Sequence, residues 1–553
     1  MLLIIGLDGA TWDLLDPWIE RGCLPNLGRI RRHGTWGPLR STMPPATLPC
    51  WTTFMTGMNP GRHGIFDFTR RELGTYRVQF VNASFRKSKT IWKQLSDAGR
   101  SVCVLGVPGT YPPEPLNGCM ISGFDTPVTT RADASFITPS TLAPMVMAMG
   151  GFPFADFQEF RVGKGWHRKA LAALLRGIET KTRLAKALFE RQCWDCFLLL
   201  FGESDTVAHH FWKFHDRHSP RFDPAGALEW GDAIQRVYRA LDAAIGELIA
   251  AAPAATVLIA SDHGFGGAGS KAVYLNQWLR RGGWQKASPA AARWKLGSGV
   301  KRLALRTLPA GAQAWAFRLH GGRWAGRLES RARFAGIDWV GTRAFSEELN
   351  YFPNIWLNVK GRDPEGVVER GDYERVRDDI CAATSGLRDA EHGAPVVRRA
   401  WRREELYEGP WVHYAPDIIL EFNLDRGYSY TCLPSTLAPT PEAVRVLDPA
   451  EMKGGKLAGM SGSHRADGVF LLGRDYAGQG LVNGTQIADM APAISALCGI
   501  EGPRCDGRLP GWISADTQYR PAGARDDQCP EDCYSDAENE EIAKRLSAMG
   551  YLQ

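Results

Sequence analysis

Short apolar runs bounded by turn residues recur along this chain, and helical patterns separate them. The runs include LLIIGLD at 2–8, CFLLLFG at 196–202 and TVLIASD at 256–262, each long enough for one buried strand. Amphipathic stretches such as TIWKQLSDAG at 90–99 and a longer one at 227–252 predict helices. Strands that alternate with helices form a parallel sheet covered on both faces. We therefore predict an α/β fold with a mostly parallel sheet between helices.

The alternation stops after about residue 275 and returns with GSHRADGVFLLG at 462–473. A chain of 553 residues is longer than one hydrophobic core normally organises, so an inserted domain is expected. Gly-rich joints at 266–270 and 453–463 flank the interruption. The predicted divisions are a discontinuous core at 1–275 and 455–515, an inserted cap domain at 276–454, and a C-terminal tail with a helix at 516–553.

The composition is that of a soluble protein. Hydrophobic residues make up 44% of the chain, and no apolar run reaches the roughly 18 residues that a membrane span requires. The start, MLLIIGLDG, lacks the basic segment and the long apolar stretch of an export signal, so we expect a cytoplasmic location. The twelve cysteines have no framework spacing, and free thiols are expected.

One segment of the chain is strongly basic. The net charge of +6 over the whole length gives no reason to expect specific nucleic-acid binding. Residues 280–335, however, hold thirteen Lys and Arg against one acid, Glu329. Aromatic residues interleave with these charges, among them Trp294, Trp315, Phe317 and Trp324. This pattern suits contact with a membrane surface or with anions. The alternative is a solvated helical insertion.

Acidic residues and histidines stand where three of the predicted strands end. Asp8 follows the first run, Asp205 follows FLLLFGES, and Asp262 and His263 follow TVLIAS. Because ligands bind at the carboxyl ends of the strands in open α/β sheets, these side chains are expected to share one edge of the sheet. Each residue alone has a structural explanation, since Asp often caps a helix. Their joint occurrence favours a functional site.

The spacing of these residues is suited to metal ions. Asp205 and His209 lie four residues apart, so on a helix both side chains project from one face. Catalytic zinc usually has three protein ligands, and His464 in the loop GSHRADG would complete this set. A second set of three comprises Asp8, Asp262 and His263. Two such sites about 3.5–4 Å apart would hold the attacking and leaving oxygens of a phosphoryl group.

The stretch TLPCWTTFMTG at 47–57 is rich in hydroxyl groups. The prolines that precede Cys50 keep the chain extended, and the following residues predict a helix that ends at Gly57. Thr47 would therefore lie just ahead of a helix N-terminus, where backbone N–H groups and the helix dipole favour an anion. The spacing alone leaves open whether Thr47 is a nucleophile or only a helix cap.

Five motifs together resemble the alkaline phosphatase superfamily, and most closely its type I phosphodiesterase and nucleotide pyrophosphatase branch. They occur in the order of that family: LDG at 7–9, PPATLPCWTTFMTGMNPGRHGI at 44–65, SDTVAHH at 204–210, SDHGF at 261–265 and GSHRADGVFLLG at 462–473. The resemblance covers roughly residues 1–275 and 455–515. It implies an alkaline phosphatase-like core with a small phosphate ester as substrate.

The resemblance also implies roles for individual residues. Thr47 would attack phosphorus while bound to one metal ion, and two divalent ions, zinc with manganese as the alternative, would be the cofactors. The other ligands of the first ion would be Asp8, Asp262 and His263. The ligands of the second ion would be Asp205, His209 and His464. Asn82 is a candidate for substrate contact, although FVNASFRKSK around it does not match the family well. Formylglycine chemistry of the sulfatase branch is not expected, because Cys50 lies three residues beyond the nucleophile position.

The leading hypothesis is hydrolysis of phosphodiesters or nucleotide pyrophosphates through a phospho-Thr47 intermediate. One alternative is a phosphomutase or phosphotransferase of the same superfamily, which passes the phosphoryl group to a second hydroxyl. Another is a non-catalytic protein that binds membranes or polyanions through its basic segment. The presence of all seven site residues argues against the last alternative.

Overall fold

The structure is a computed structural model, and most of the chain is described. Much of the basic segment at 280–335 and the first part of the predicted tail lie outside the described ranges, so membrane-surface contact stays a prediction. The described residues are 1–127, 134–154, 165–288, 333–334, 336–349, 351–389, 391–452, 457–473, 480–502, 504–513 and 534–548.

The described chain contains strands and helices throughout. In chain order the strands are β1 (Leu2–Leu7), β2 (Thr35–Arg40), β3 (Thr69–Glu72), β4 (Arg77–Phe80), β5 (Val102–Leu105), β6 (Gly118–Ile121), β7 (Ile137–Thr138), β8 (Cys196–Phe201), β9 (Thr256–Ala260), β10 (Gly264–Val273), β11 (Lys286–Ala287), β12 (Ile337–Asp338), β13 (Ala344–Phe345), β14 (Asn354–Leu357), β15 (Val397–Arg402), β16 (Ile418–Phe422), β17 (Leu424–Asp425), β18 (Tyr428–Cys432), β19 (Val444–Val446), β20 (Gly462–Arg465), β21 (Asp467–Gly473), β22 (Gly480–Leu481) and β23 (Thr485–Gln486). The helices are α1 (Trp12–Glu20), α2 (Pro25–His33), α3 (Thr47–Thr56), α4 (Pro60–His63), α5 (Ile91–Asp97), α6 (Ala143–Ala148), α7 (Trp166–Arg191), α8 (Glu203–His215), α9 (Pro224–Trp230), α10 (Ala233–Ala251), α11 (Leu275–Arg281), α12 (Tyr373–Ala383), α13 (Arg403–Leu406), α14 (Met490–Leu497) and α15 (Asp536–Ala548).

A large mixed sheet forms the centre of the fold. Its order is β22-β2-β21-β9-β1-β8-β5-β6-β7, and β23 also pairs with β2. The central neighbours β9, β1, β8, β5 and β6 run parallel, whereas β21 is antiparallel to both β9 and β2. The predicted α/β class with a mostly parallel sheet is confirmed.

Helices cover both faces of this sheet because the side chains of each strand alternate between the faces. In β1, Leu3 and Ile5 point into a core shared with α7, α8 and α10. Leu2 and Ile4 point into the opposite core, shared with α3, α5 and α14. All of β1 is buried, which explains its uninterrupted apolar sequence.

Part of the segment at 276–454 forms a four-stranded sheet in the order β13-β14-β16-β15. A further sheet has the order β17-β18-β10-β19, with β20 also paired to β10. β10 therefore follows β9 of the central sheet along the chain and pairs with β18 and β19 of the predicted cap. The domain boundaries themselves stay a prediction.

The Gly-rich stretch at 266–270, which the sequence predicted as a joint, lies inside the ten-residue strand β10. Its glycines allow close approach rather than flexibility. A Cβ on Gly266 would lie 2.7 Å from Arg465 Nε, and one on Gly267 would lie 2.7 Å from the Tyr428 ring. The predicted single helix at 227–252 is also divided, since α9 ends before Gly231 and α10 begins at Ala233. No helix in the described part of the chain is long and apolar enough to cross a bilayer.

Candidate active site

Three neighbouring parallel strands bring the predicted carboxylates to one edge of the sheet. Asp8 follows β1, Asp205 lies in the first turn of α8 just after β8, and Asp262 follows β9. The loops after β1 and β9 are joined by hydrogen bonds. Gly9 N donates to Asp262 Oδ1 at 3.3 Å, and Ala10 N donates to the Ser261 hydroxyl at 2.9 Å. The strand order therefore fixes the relative positions of these carboxylates, as predicted from the sequence.

Thr47 is the first residue of α3 rather than a residue ahead of it. The helix begins earlier than predicted, with Ala46 as its N-cap, because Pro49 in the first turn is tolerated where N–H groups lack helical partners. The helix ends at Gly57, which has φ +69°, as predicted. Thr47 is completely buried, and its Oγ1 lies 3.3 Å from His263 Nε2.

The carboxylates of the first predicted ligand set lie close to His263 Nε2, the nitrogen nearest to Thr47 Oγ1. His263 Nε2 lies 3.6 Å from Asp8 Oδ1 and 3.4 Å from Asp262 Oδ2. The ligand atoms of these three residues lie within 4.8 Å of one another. The structure thus brings Thr47 and the whole first set together.

The second predicted set is also assembled. Asp205 Oδ1 lies 3.3 Å from His209 Nε2 and 3.4 Å from His464 Nε2, and the two histidine nitrogens are 3.1 Å apart. His464 lies in β20 rather than in a loop, opposite Phe265 of β10. Ligand atoms of Asp205, His263 and His464 also lie within 4.8 Å of one another, and the rings of His263 and His464 stack at 3.6 Å. The two sets are therefore contiguous.

The protonation of the three histidines follows from their backbone contacts. His209 Nδ1 lies 3.1 Å from Gly462 O, His263 Nδ1 lies 3.0 Å from Gly264 O, and His464 Nδ1 lies 2.9 Å from Pro45 O. A carbonyl only accepts, so each Nδ1 carries a proton and donates it. Each Nε2 then presents its lone pair to the cluster, which is the usual arrangement for metal-ligating histidines.

The buried carboxylates of the cluster would be stabilised by a nearby positive charge. In the described chain, the buried oxygens Asp8 Oδ1, Asp205 Oδ1 and Asp262 Oδ2 accept no hydrogen bond. Burial, together with the neighbouring carboxylates, raises the pKa of Asp8 well above its ordinary value, and burial followed by Asp205 raises the pKa of Asp262. Burial lowers the pKa of His263 and keeps it neutral.

These residues fit divalent metal ions. Carboxylate oxygens and imidazole nitrogens are ligands of zinc and manganese, and two lone pairs 3.1 Å apart are stabilised by a cation between them. The fit rests on the three carboxylate oxygens that accept no hydrogen bond and on the Nε2 lone pairs of the histidines. A bound cation would give both kinds of atom a partner.

Two further residues support the cluster and were not singled out from the sequence. Trp51 Nε1 donates to Asp8 Oδ2 at 3.3 Å, and Trp51 is completely buried. Tyr351 stacks on His464 with ring centroids 4.0 Å apart and an interplanar angle of 7°. Trp51 lies in a motif that the sequence marked, four residues after Thr47, whereas nothing in ELNYFPN marks Tyr351.

Asn82 caps a short 3₁₀ turn, because its Oδ1 accepts from the backbone N–H and the hydroxyl of Ser84. Its role in substrate contact stays a prediction. Cys50 is buried with its Sγ 3.0 Å from the Ser41 hydroxyl, and burial raises its pKa to about 12, so it is not a nucleophile at neutral pH.

The fold and the site define a class: this protein is a phosphoric ester hydrolase with the fold of the alkaline phosphatase superfamily. Within that class, the chain belongs to the type I phosphodiesterase / nucleotide pyrophosphatase family, whose model matches residues 2–434. The match ends before His464, which the structure nevertheless places beside Asp205. The family acts on small phosphate esters, and the predicted superfamily and enzyme class are confirmed.

The chain is similar to several solved structures. Phosphonoacetate hydrolase from Sinorhizobium meliloti 1021, in complex with phosphonoformate, has a TM-score of 0.52 and 16% identity, with 90% of this chain and 94% of that chain covered. Human ectonucleotide pyrophosphatase / phosphodiesterase 5 has a TM-score of 0.46 and 14% identity, with 93% and 99% covered. The first likeness shows the fold alone. No curated protein sequence matches the chain significantly.

Proposed function

We propose that this protein hydrolyses phosphodiesters or nucleotide pyrophosphates at a two-metal site through a phospho-Thr47 intermediate. The observation that carries the proposal is the Thr47 hydroxyl, 3.3 Å from His263 Nε2 at the edge of two contiguous Asp/His sets. Family membership establishes phosphoester hydrolysis, and this geometry supports the finer assignment. Zinc, a small ester substrate and a cytoplasmic location are the other parts of the proposal.

The reaction has two displacements at phosphorus. Thr47 Oγ1 attacks phosphorus and gives up its proton, the bond from phosphorus to the leaving oxygen breaks, that oxygen takes up a proton, and the phosphoryl group is carried on Thr47. Water then attacks the same phosphorus and gives up a proton, the bond to Oγ1 breaks, and Oγ1 takes up a proton, which restores the Thr47 hydroxyl. The N-terminus of α3 favours the anionic group on Thr47 throughout.

Six residues would hold the metal ions. Asp8, Asp262 and His263 would bind one ion beside Thr47, and the second set would bind the other. Bound divalent ions would supply Lewis acidity, which lowers the pKa of a hydroxyl and stabilises charge on phosphoryl oxygens. The second set comprises Asp205, His209 and His464.

The test uses zinc-loaded full-length protein with aryl phosphodiester, phosphomonoester, phosphonate and sulfate substrates. We expect the diester to be turned over best, and Thr47→Ala to lower kcat by on the order of 10³-fold or more with unchanged zinc content. Thr52→Ala is the matched control, because Thr52 is a buried residue of α3 whose hydroxyl donates to Leu48 O. Hydrolysis of the diester by Thr47→Ala at the wild-type rate would exclude Thr47 as nucleophile.

Labelled water separates hydrolysis from phosphotransfer. With ¹⁸O-labelled water, hydrolysis places solvent oxygen in the released product. Release of product without label, in the presence of an acceptor alcohol, would instead support a phosphotransferase.

A further inference from the structure

Tyr351 links the segment at 276–454 to both ligand sets. Its ring stacks on the His464 imidazole, and the His263 ring also stacks on that imidazole, at 3.6 Å and 21°. The Tyr351 hydroxyl lies 3.3 Å from His209 Nδ1. One side chain from outside the predicted core therefore contacts two histidines of the second set.

The position of Tyr351 is fixed by its neighbours along the chain. Phe352 is 3% exposed and packs in one cluster with Phe66 and Tyr407. The next residue, Pro353, accepts a hydrogen bond through its carbonyl from Leu420 N at 2.9 Å. β14 begins at Asn354, whose side-chain amide donates to Phe352 O at 2.7 Å. Tyr351 thus lies three residues before β14, a strand that pairs with β13 on one edge and with β16 on the other.

The contacts restrict the orientation of two imidazoles. The Nδ1–H group of His209 is shared between Gly462 O and the Tyr351 hydroxyl, which fixes the ring plane. The His464 ring is held between two other rings and by its bond to Pro45 O. Mutation of a residue that hydrogen-bonds or packs against a metal-ligating histidine typically lowers metal affinity by roughly 10- to 100-fold.

We propose that Tyr351 is a positioning residue for the second ligand set, and that the segment at 276–454 thereby controls metal occupancy at Asp205, His209 and His464. The inference rests on the proposed function, since it assumes that both sets bind cations. Tyr351 acts through the histidines and is not itself assigned to the reacting atoms. We expect the ring contact with His464 to contribute more to metal affinity than the hydroxyl contact with His209.

The experiment measures zinc affinity and stoichiometry of the full-length protein by competition with a chromophoric chelator. For Tyr351→Leu we expect one of two zinc ions to bind roughly 10- to 100-fold more weakly, with the other unchanged. For Tyr351→Phe, which keeps the stacked ring, we expect a loss of less than about tenfold. This rescue by the conservative variant separates positioning from a general loss of structure.

Tyr407→Phe is the matched control. It removes a buried phenol hydroxyl that donates to Met43 O at 2.8 Å, in the same cluster as Phe352, and should leave both affinities unchanged. Wild-type affinities at both sites in Tyr351→Leu, or equal weakening of both sites, would overturn the inference while the proposed function stands. A wild-type protein that binds no divalent cation would overturn both.

Imidazole spectra supply a readout that needs no metal. In metal-free protein labelled with ¹⁵N histidine, Tyr351→Leu should shift the His464 ring resonances, because the ring current of Tyr351 is lost, and should change the Nδ1 resonance of His209. Unchanged spectra at both histidines would contradict the contacts on which the inference depends.

Discussion

Gly9 lies directly against the Asp205 carboxylate, because a Cβ built on Gly9 would be 3.1 Å from Asp205 Oδ1 and 3.0 Å from the Phe265 ring. Gly9 also has φ +65°, a conformation that L side chains rarely adopt. Gly9→Ala is expected to destabilise the fold by about 1–3 kcal/mol and to displace Asp205, so zinc should bind more weakly. Urea unfolding and zinc titration measure the two effects.

Gly22→Ala is the matched control for Gly9. Gly22 has φ +71°, and nothing lies within 4 Å of the position that a Cβ would take, so alanine there carries the backbone strain without the contact. Zinc binding that is weakened equally in both variants would show that Gly9 acts through backbone strain alone.

Trp51 orients Asp8 through the hydrogen bond from Nε1 to Oδ2. Trp51→Phe keeps an aromatic ring in the core but leaves that oxygen without its donor, so metal affinity at the first set should fall by roughly tenfold. Trp92→Phe is the control, since Trp92 is buried in the same core and its Nε1 has no hydrogen-bond partner among the described residues. Equal zinc affinity in the two variants would refute the role of the hydrogen bond.

The stabilisation by metal should increase with pH. The raised pKa values of Asp8 and Asp262 mean that these two carboxyls bind more protons in the metal-free folded chain than in the unfolded chain. Their contribution to stability therefore falls as pH rises above about 4, the ordinary carboxyl pKa. Metal binds the deprotonated groups and removes this loss. The difference in Tm between zinc-loaded and chelated protein should grow from about pH 5 to about pH 8, and a difference that shrinks over that range would contradict this.

The sequence predicted that three carboxylates lie together, because their positions follow from strand ends. Asp8, Asp205 and Asp262 each come within four residues of the end of a buried strand, and parallel strands place such residues at one edge. His209 followed from helical spacing. The role of Thr47 required the family resemblance, because a hydroxyl at a helix N-terminus is equally suited to capping.

Other features depend on contacts between distant segments. Tyr351 reaches His464 only because β14 and β16 pair and Phe352 is buried, and no local pattern encodes that approach. The local sequence at 266–270 likewise does not show the Arg465 and Tyr428 side chains that lie against Gly266 and Gly267. These contacts depend on packing between segments that are distant in the sequence, so local propensity does not predict them.

β10 begins at the residue after His263 and continues to Val273, where β18 and β19 flank it. Because one strand joins the site to the outer sheet, we expect repacking of that sheet to move the imidazole of His263, although the pairing of β10 with β18 is irregular between Ala268 and Ala272. A chimaera that exchanges the cap for that of another hydrolase should therefore be spliced beyond Val273, not at the glycines. The same linkage gives protein engineers a way to adjust the two Asp/His sets from the outer sheet without changing any of their six residues.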